Sequence, residues 1–378
     1  VVPIVPDEAR TFGMEGLFRQ LGIYASGGQL YEPEDADSFM YYREDQAGQV
    51  LEEGINEAGS FSSWIAAATS YSSHGVSMIP FYIFYSMFGF QRIGDLAWAA
   101  ADMQARGFLM GGTAGRTTLA GEGLQHQDGH SHLLAGTIPN CVAYDPTYLY
   151  ELAVIIQDGM RRMYRDDENV YYYITIENEN YVHPPMPQGA EEGILTGMYR
   201  LRVAESPGKG KKQPPRVQLL GCGAILREVL AGAEMLDAEY GVAADVWSVT
   251  SFNELRRDGL DAQRWNRLHP DATPRRSFVE ECLTDAQGPV VAATDYMKLY
   301  ADQIRPWVEQ PYHVLGTDGF GRSDTRERLR QFFEINREQV VYTALYALAR
   351  EGIIDDEIPI TAARKLGIDT DKPNPARV

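Results

Sequence analysis

"YDPTYLYELAVIIQDGMRRMY" (144–164) is followed, after five charged or polar residues, by "VYYYITI" (170–176), and this pair decides the fold. Asp145 reads as a helix N-cap, where a short acceptor side chain satisfies a free N–H. Pro146 reads as the first helical position, where no N–H is needed. Apolar residues then recur at helical spacing, and the last turn carries basic residues that suit the helix dipole. The β-branched and aromatic run behind it is a strand. The same alternation repeats outward. The opening "VVPIV" reads as a strand entering a polar loop, Met78 to Ile83 as a buried strand, and Met87 to Arg106 as a helix capped by Gly107. "FLMGG" (108–112) follows as the next strand. Strand alternating with helix implies a parallel sheet covered on both faces.

Further along, "ESPGKGKKQPPR" (205–216) packs three prolines, two glycines and four cations into twelve residues with no apolar anchor, which marks a linker. A new strand–turn–helix unit starts directly behind it in "VQLLGCGAILREVLAGAEMLDAEYG". Gly221 and Gly223 there resemble the start of a dinucleotide fingerprint, but a lone GxG without an acidic residue in frame reads better as a tight strand-to-helix turn. Strands recur at "ADVWSVT", "PVVAAT" and "YHVLGT". Helices are expected after Asp295, near Arg326 to Phe333, and from Asn336 to Arg350. The fold class is therefore α/β, with two doubly wound domains of mostly parallel sheets. They span 1–205 and 216–378, with 206–215 as the linker.

Bulk properties narrow the function. The 378 residues carry a net charge of −19, which leaves no concentrated basic surface for a nucleic acid to displace counterions on. The three cysteines, Cys141, Cys222 and Cys282, are far apart and form no CxxC, so a reducing cytoplasm is expected. No run of about eighteen apolar residues predicts a membrane-spanning helix. The first residue is not a methionine, and the chain reads as begun in mid-strand, the portion of something longer.

Three stretches concentrate chemistry. "GEGLQHQDGHSH" (121–132) holds His126, His130 and His132 with Glu122 and Asp128. It reads as a zinc site, as a loop whose histidines hold backbone carbonyls, or as a catalytic loop with one working imidazole. Its glycines argue against the rigid HExxH helix, and no second ligand cluster has the usual spacing. In "VLEEGINEAG" (50–59), Glu57 stands where a loop enters an apolar helix. It is either a cap favoured by the dipole or a functional acid in low dielectric. In "MIPFYIFYSMFGFQR" (78–92), six aromatic residues crowd the end of a strand. That is ordinary core, or the place where α/β sheets receive a flat ligand.

Taken together, "DEARTFGMEG" (7–16), "EGINEAG" (53–59), "PFYIFYSMFGFQR" (80–92), "GEGLQHQDGHSH" (121–132) and "GTDGFGRSDTRERLR" (316–330) resemble the thiamine-diphosphate-dependent pyruvate dehydrogenase component of the bacterial homodimeric type, a transketolase-like family. The resemblance covers essentially the whole chain. It implies a pyrimidine-binding middle domain and a transketolase-type C-terminal domain. The family's GDG…N motif for Mg2+ and the cofactor diphosphate is not found, so the chain is expected to be the C-terminal portion of a longer enzyme. By the same resemblance, Glu57 bonds the aminopyrimidine, Phe88 stacks on it and Ile55 wedges the cofactor into its bent shape. His126 is the active-site histidine. Tyr85, Glu122, Asp7 and Glu8 line the reaction side, and no metal is bound by these residues. Implied partners are a second copy of the chain, pyruvate and the dihydrolipoyl acetyltransferase, with neither nucleic acid nor membrane. The rivals are a 2-oxoglutarate dehydrogenase component, a transketolase, or an assembly module inert on its own.

Overall fold

The computed structural model describes residues 1–6, 9–34, 42–205 and 213–378. Asp7 and Glu8, and most of the proposed linker, lie outside the described residues. The chain forms two compact units. The first comprises Val1–Ala114, Leu133–Ala143 and Gln157–Asn178, and the second Gly115–His132, Tyr144–Ile156 and Glu179–Val378. Both are α/β.

The six-stranded sheet associated with the first unit contains β1 (Val2–Val5), β2 (Leu51–Glu52), β3 (Pro80–Tyr85), β4 (Phe108–Gly112), β5 (Cys141–Tyr144) and β6 (Tyr171–Thr175). Their order is β2-β1-β3-β4-β6-β5. β1 pairs in parallel with both β2 and β3, and β4 with both β3 and β6. Strands covered on both faces have no solvent side, so they read as continuous apolar runs. All five residues of β4 and of β6 are accordingly buried. The three buried tyrosines of β6 still need partners for their hydroxyls. Tyr171 donates to the Ala97 carbonyl at 3.3 Å and Tyr172 to Asp158 Oδ2 at 3.1 Å. Helix α1 (Glu57–Ala68) buries Phe61, Trp64, Ala67 and Ala68. Trp64 stacks on Phe61 at 5.0 Å and donates its indole N–H to the Phe108 carbonyl at 3.2 Å.

The second sheet contains β7 (Met198–Arg202), β8 (Arg216–Gly221), β9 (Ala243–Val249), β10 (Val290–Ala293) and β11 (Tyr312–Leu315), in the order β11-β10-β8-β9-β7. All pairs are parallel except β7, which runs antiparallel along β9 with a bulge at Val246/Trp247. β7 thus precedes the Pro/Gly-rich stretch in sequence yet belongs to the second sheet. Its exposed Arg200 and half-buried Arg202 hide it from an apolar-run reading. The GxG turn is a strand-to-helix turn, with Gly223–Ile225 forming a single tight turn before α4 (Leu226–Tyr240, where α2 is Phe90–Asp102 and α3 Leu149–Tyr164). The core collects Val217, Leu219, Val229, Leu236, Val291 and Leu345.

Two local expectations move. α3 begins at Leu149, four residues beyond Asp145. Glu151 Oε2 accepts from Thr147 N and Tyr148 N at 2.6 and 3.0 Å and so satisfies the free N–H groups itself. Asp145 instead accepts the Tyr296 hydroxyl at 3.1 Å. α2 ends at Asp102, and Gly107 lies beyond it, where an added Cβ would sit 2.8 Å from the Pro80 ring. The three cysteines are free, and among the described residues no helix is long and apolar enough to cross a membrane.

Candidate active site

In the first sheet, β2 lies on one side of β1 and β3 on the other, so the chain reverses its winding between β1 and β3. Ligands of open α/β sheets bind in the crevice beyond the carboxyl ends at such a point. The segment leaving β2 carries Ile55 and Glu57, and β3 ends on Tyr85 with Phe88 just beyond it. Ile55, 70% exposed, sits in the loop between β2 and α1. That loop turns at Gly54 (φ +79°), a left-handed conformation that favours glycine.

Glu57 opens α1, but it is not the cap. Asn56 holds that place, with its side-chain oxygen accepting from Gly59 N at 3.0 Å. The Glu57 carboxylate, on a side chain only 12% exposed, accepts from Arg92 Nη1 at 2.7 Å. Arg92 also lies over the Phe88 ring, 4.1 Å from its centroid, a cation–π contact. Phe88 meets Tyr85 edge-on at 5.7 Å, and Tyr85 meets Phe12 at 5.3 Å. Burial, then the nearby Glu57 carboxylate, pushes the Tyr82 phenol well above its ordinary range, so Tyr82 stays neutral. The structure therefore brings Glu57, Phe88 and Tyr85 into one chain of contacts linked by Arg92. Arg92 stands in the quoted aromatic motif, but its role depends on a partner 35 residues away and was not anticipated.

Glu122 and His126 belong to the second unit, in the segment leaving β4. That segment is built firmly. The Asp295 carboxylate accepts from Thr117 N at 3.1 Å and from the Thr117 and Thr118 hydroxyls at 2.8 Å each. Gly115 (φ +86°) passes so close that a Cβ would lie 2.2 Å from Asp295 Oδ2. Arg116 donates to the carbonyls of Thr317 (2.6 Å) and Gly319. Burial raises the Asp295 carboxyl to about 6. Asp128 accepts from His130 N and Ser131 N at 2.9 Å each and closes the loop. His132 is fully buried, stacked on Tyr300 and edge-on to Tyr296, each at 4.8 Å, and burial lowers it to about 4. An imidazole in that setting is neutral packing. His126 sits in the single turn Leu124–His126 and is only partly covered. Among the described residues no cluster of three His, Cys, Asp or Glu could hold a metal.

These placements separate the histidines by experiment. His132→Ala should lower thermal stability by about 3 kcal/mol through the cavity it leaves. His126→Ala should leave the melting temperature nearly unchanged and slow substrate steps. Melting curves and turnover of the two variants check this, and the reverse pattern would exchange the roles.

Two wound, mostly parallel sheets make this an α/β protein, and its fold is transketolase-like. A profile for the pyruvate dehydrogenase E1 component middle domain matches residues 1–184, and one for the transketolase-like C-terminal domain matches 197–336. The pyruvate dehydrogenase E1 component of Pseudomonas aeruginosa is 66% identical over 99% of this chain, and that of Escherichia coli K12 is 61% identical over 99%. The chain spans 42% of the length of each. Among solved structures, transketolase from Campylobacter jejuni covers 91% of the chain with 43% of its own length (TM-score 0.64, 15% identity). A split-gene transketolase chain, described as an inactive β4 tetramer, covers 90% with 97% of its own length (TM-score 0.56, 17% identity). The chain belongs to the pyruvate dehydrogenase E1 family.

Proposed function

We propose that the chain supplies the aminopyrimidine-binding and substrate-facing parts of a pyruvate dehydrogenase E1. The enzyme would use thiamine diphosphate with Mg2+, act as a homodimer in the cytoplasm, and pass an acetyl unit to the lipoyl group of a dihydrolipoyl acetyltransferase. The supporting observation is the 61–66% identity with E1 components over 99% of the chain.

The residues at the first sheet fit the aminopyrimidine by their chemistry. Phe88 offers a flat face, Glu57 a shielded acceptor, and Ile55 an exposed apolar side chain. When bound, thiamine diphosphate supplies a nucleophilic carbon and an electron sink for decarboxylating a 2-oxo acid. Glu57 would hold a proton against a ring nitrogen. Arg92 now covers both the Phe88 face and the Glu57 carboxylate, so a ring stacking there must share or displace it. By the family resemblance, Asp7, Glu8, Tyr85, Glu122 and His126 are further candidates for contact with substrate. His126 is suited to giving or taking a proton near neutral pH.

The test is turnover of pyruvate, 2-oxoglutarate and xylulose 5-phosphate by the E1 protein carrying this chain, with ferricyanide as acceptor and with or without thiamine diphosphate. Pyruvate is expected to be preferred and the cofactor required. Preference for another donor would overturn the assignment. A second reading, that this span alone assembles without turning over, is favoured by the split-gene chain of matching extent described as inactive. The same assay on this chain alone decides it.

A further inference from the structure

The stretch "RRDGLDAQRWNRLHPDATPRRS" (256–277) holds six arginines against three aspartates, in a chain whose net charge is −19. It covers most of helix α5 (Phe252–Leu268) and the loop behind it. Phe252, Leu255, Gly259 and Ala262 form the buried side of α5. Arg256, Leu260, Arg264 and Arg267 recur at i, i+4, i+8 and i+11, which places them in one stripe, and all four are exposed. Two of the acidic neighbours are engaged elsewhere, while Asp261 and Asp271 are exposed beside the arginines. Glu254 pairs with Arg257 at 2.6 Å, and Asp258 accepts from Phe278 N at 2.6 Å. Among the described residues no ion pair reaches Arg256, Arg264, Arg267, Arg275 or Arg276.

The loop presents its arginines from a fixed backbone. Asn266 accepts from Arg275 N at 2.7 Å and donates to the Arg275 carbonyl at 2.9 Å. Trp265 is clasped between the His269 ring at 4.5 Å and the Arg275 guanidinium at 4.1 Å. Ser277 then closes a capping box with Glu280.

From this face we infer a docking surface for an acidic segment of a partner protein, one bearing several carboxylates and an apolar residue to meet Leu260. Like charges that outnumber the counter-charges beside them cost free energy that a carboxylate-bearing surface restores. At physiological salt, charges are felt over about 8 Å. A compact acidic segment therefore senses the patch alone. An extended polyanion such as nucleic acid or a membrane also lies against the acidic remainder of the molecule and is repelled.

The experiment uses the full protein and a fluorescein-labelled helical peptide of Glu, Ala and Leu, read by anisotropy. A short DNA duplex, phosphatidylserine vesicles and sedimentation of the protein alone run beside it. Arg256→Glu/Arg264→Glu/Arg267→Glu should weaken peptide binding about tenfold or more. Arg350→Glu/Arg364→Glu/Arg377→Glu, with the same change in net charge at other exposed sites, should leave it within about twofold. Circular dichroism checks folding, and Arg264→Gln/Arg267→Gln replaces the first variant if it misfolds. Four results would overturn the inference: no binding by the wild type, equal loss in both variants, DNA or vesicles binding as tightly as peptide, or self-association that the patch variant abolishes.

Discussion

Glu57→Gln should lower pyruvate turnover by roughly 10²–10⁴, about 3–5 kcal/mol of barrier, while the protein stays folded. Folding survives because the helix entrance does not depend on the carboxylate: Asn56 is the cap. The partner Arg92 is 47% exposed, so its ion pair with Glu57 contributes about 0–1 kcal/mol, and the amide oxygen still accepts its hydrogen bond. Turnover falls because Gln presents the same shape without a carboxylate that can hold or release a proton. Asn56→Ala gives the contrast. It should cost about 1 kcal/mol of stability through the lost cap and leave turnover nearly whole. Quenched-flow NMR of proton exchange at the cofactor's reactive carbon, beside denaturation curves, reads both. Wild-type exchange in Glu57→Gln would remove Glu57 from the chemistry and leave it a helix-dipole role.

The aromatic crowd holding Tyr85 and Phe88 was legible because a buried strand advertises itself as an apolar run, Glu57 stood out as a carboxylate where a loop enters an apolar helix, and the roles proposed for all three come from the family resemblance. The same logic located eight of the eleven strands and passed over β2, β5 and β7, of which β2 is only two residues long. It failed where a distant partner outbids local preference. Asp145 satisfies every local rule for an N-cap, yet its carboxylate goes to a tyrosine 151 residues away. β7 was missed because an edge strand with one open side carries arginines that break the apolar run. The firm seat of the histidine segment was hidden for the same reason, since Asp295 reaches Thr117 and Thr118 across some 178 residues. Arg92 was quoted in a motif and still unread, because its contact with Glu57 exists only once the connections after β2 and β3, the strands flanking β1, fold together.

Arg330→Met should be the most destabilising of these changes, by roughly 3–5 kcal/mol near neutral pH. Arg330 is 5% exposed. Its guanidinium bonds Glu179, approaches Glu228 at 3.5 Å, and reaches Thr117 Oγ at 3.4 Å. Methionine fills much of the stem's volume and removes the charge. Glu179 then keeps Arg227 at 2.7 Å, and Glu228 keeps Arg337 at 3.0 Å, which places the cost toward the lower end. The dependence on pH separates this cause from simple loss of packing. Burial pushes both glutamates up, but the arginines outweigh it and hold them below the ordinary carboxylate range. A depressed carboxyl stabilises the fold above its unfolded pKa, and that contribution fades as pH falls through the folded one. Asp295 contributes to the fold with the opposite dependence on pH. Burial raises it to about 6 against the pull of Arg330, so its favourable contribution is present below about 4 and lost as pH rises through 6. Without Arg330 that loss is larger. Both effects make the variant's deficit greatest near pH 7.5 and smaller at pH 4.5. Urea denaturation at the two values measures it, and a deficit independent of pH would assign Arg330 to packing alone.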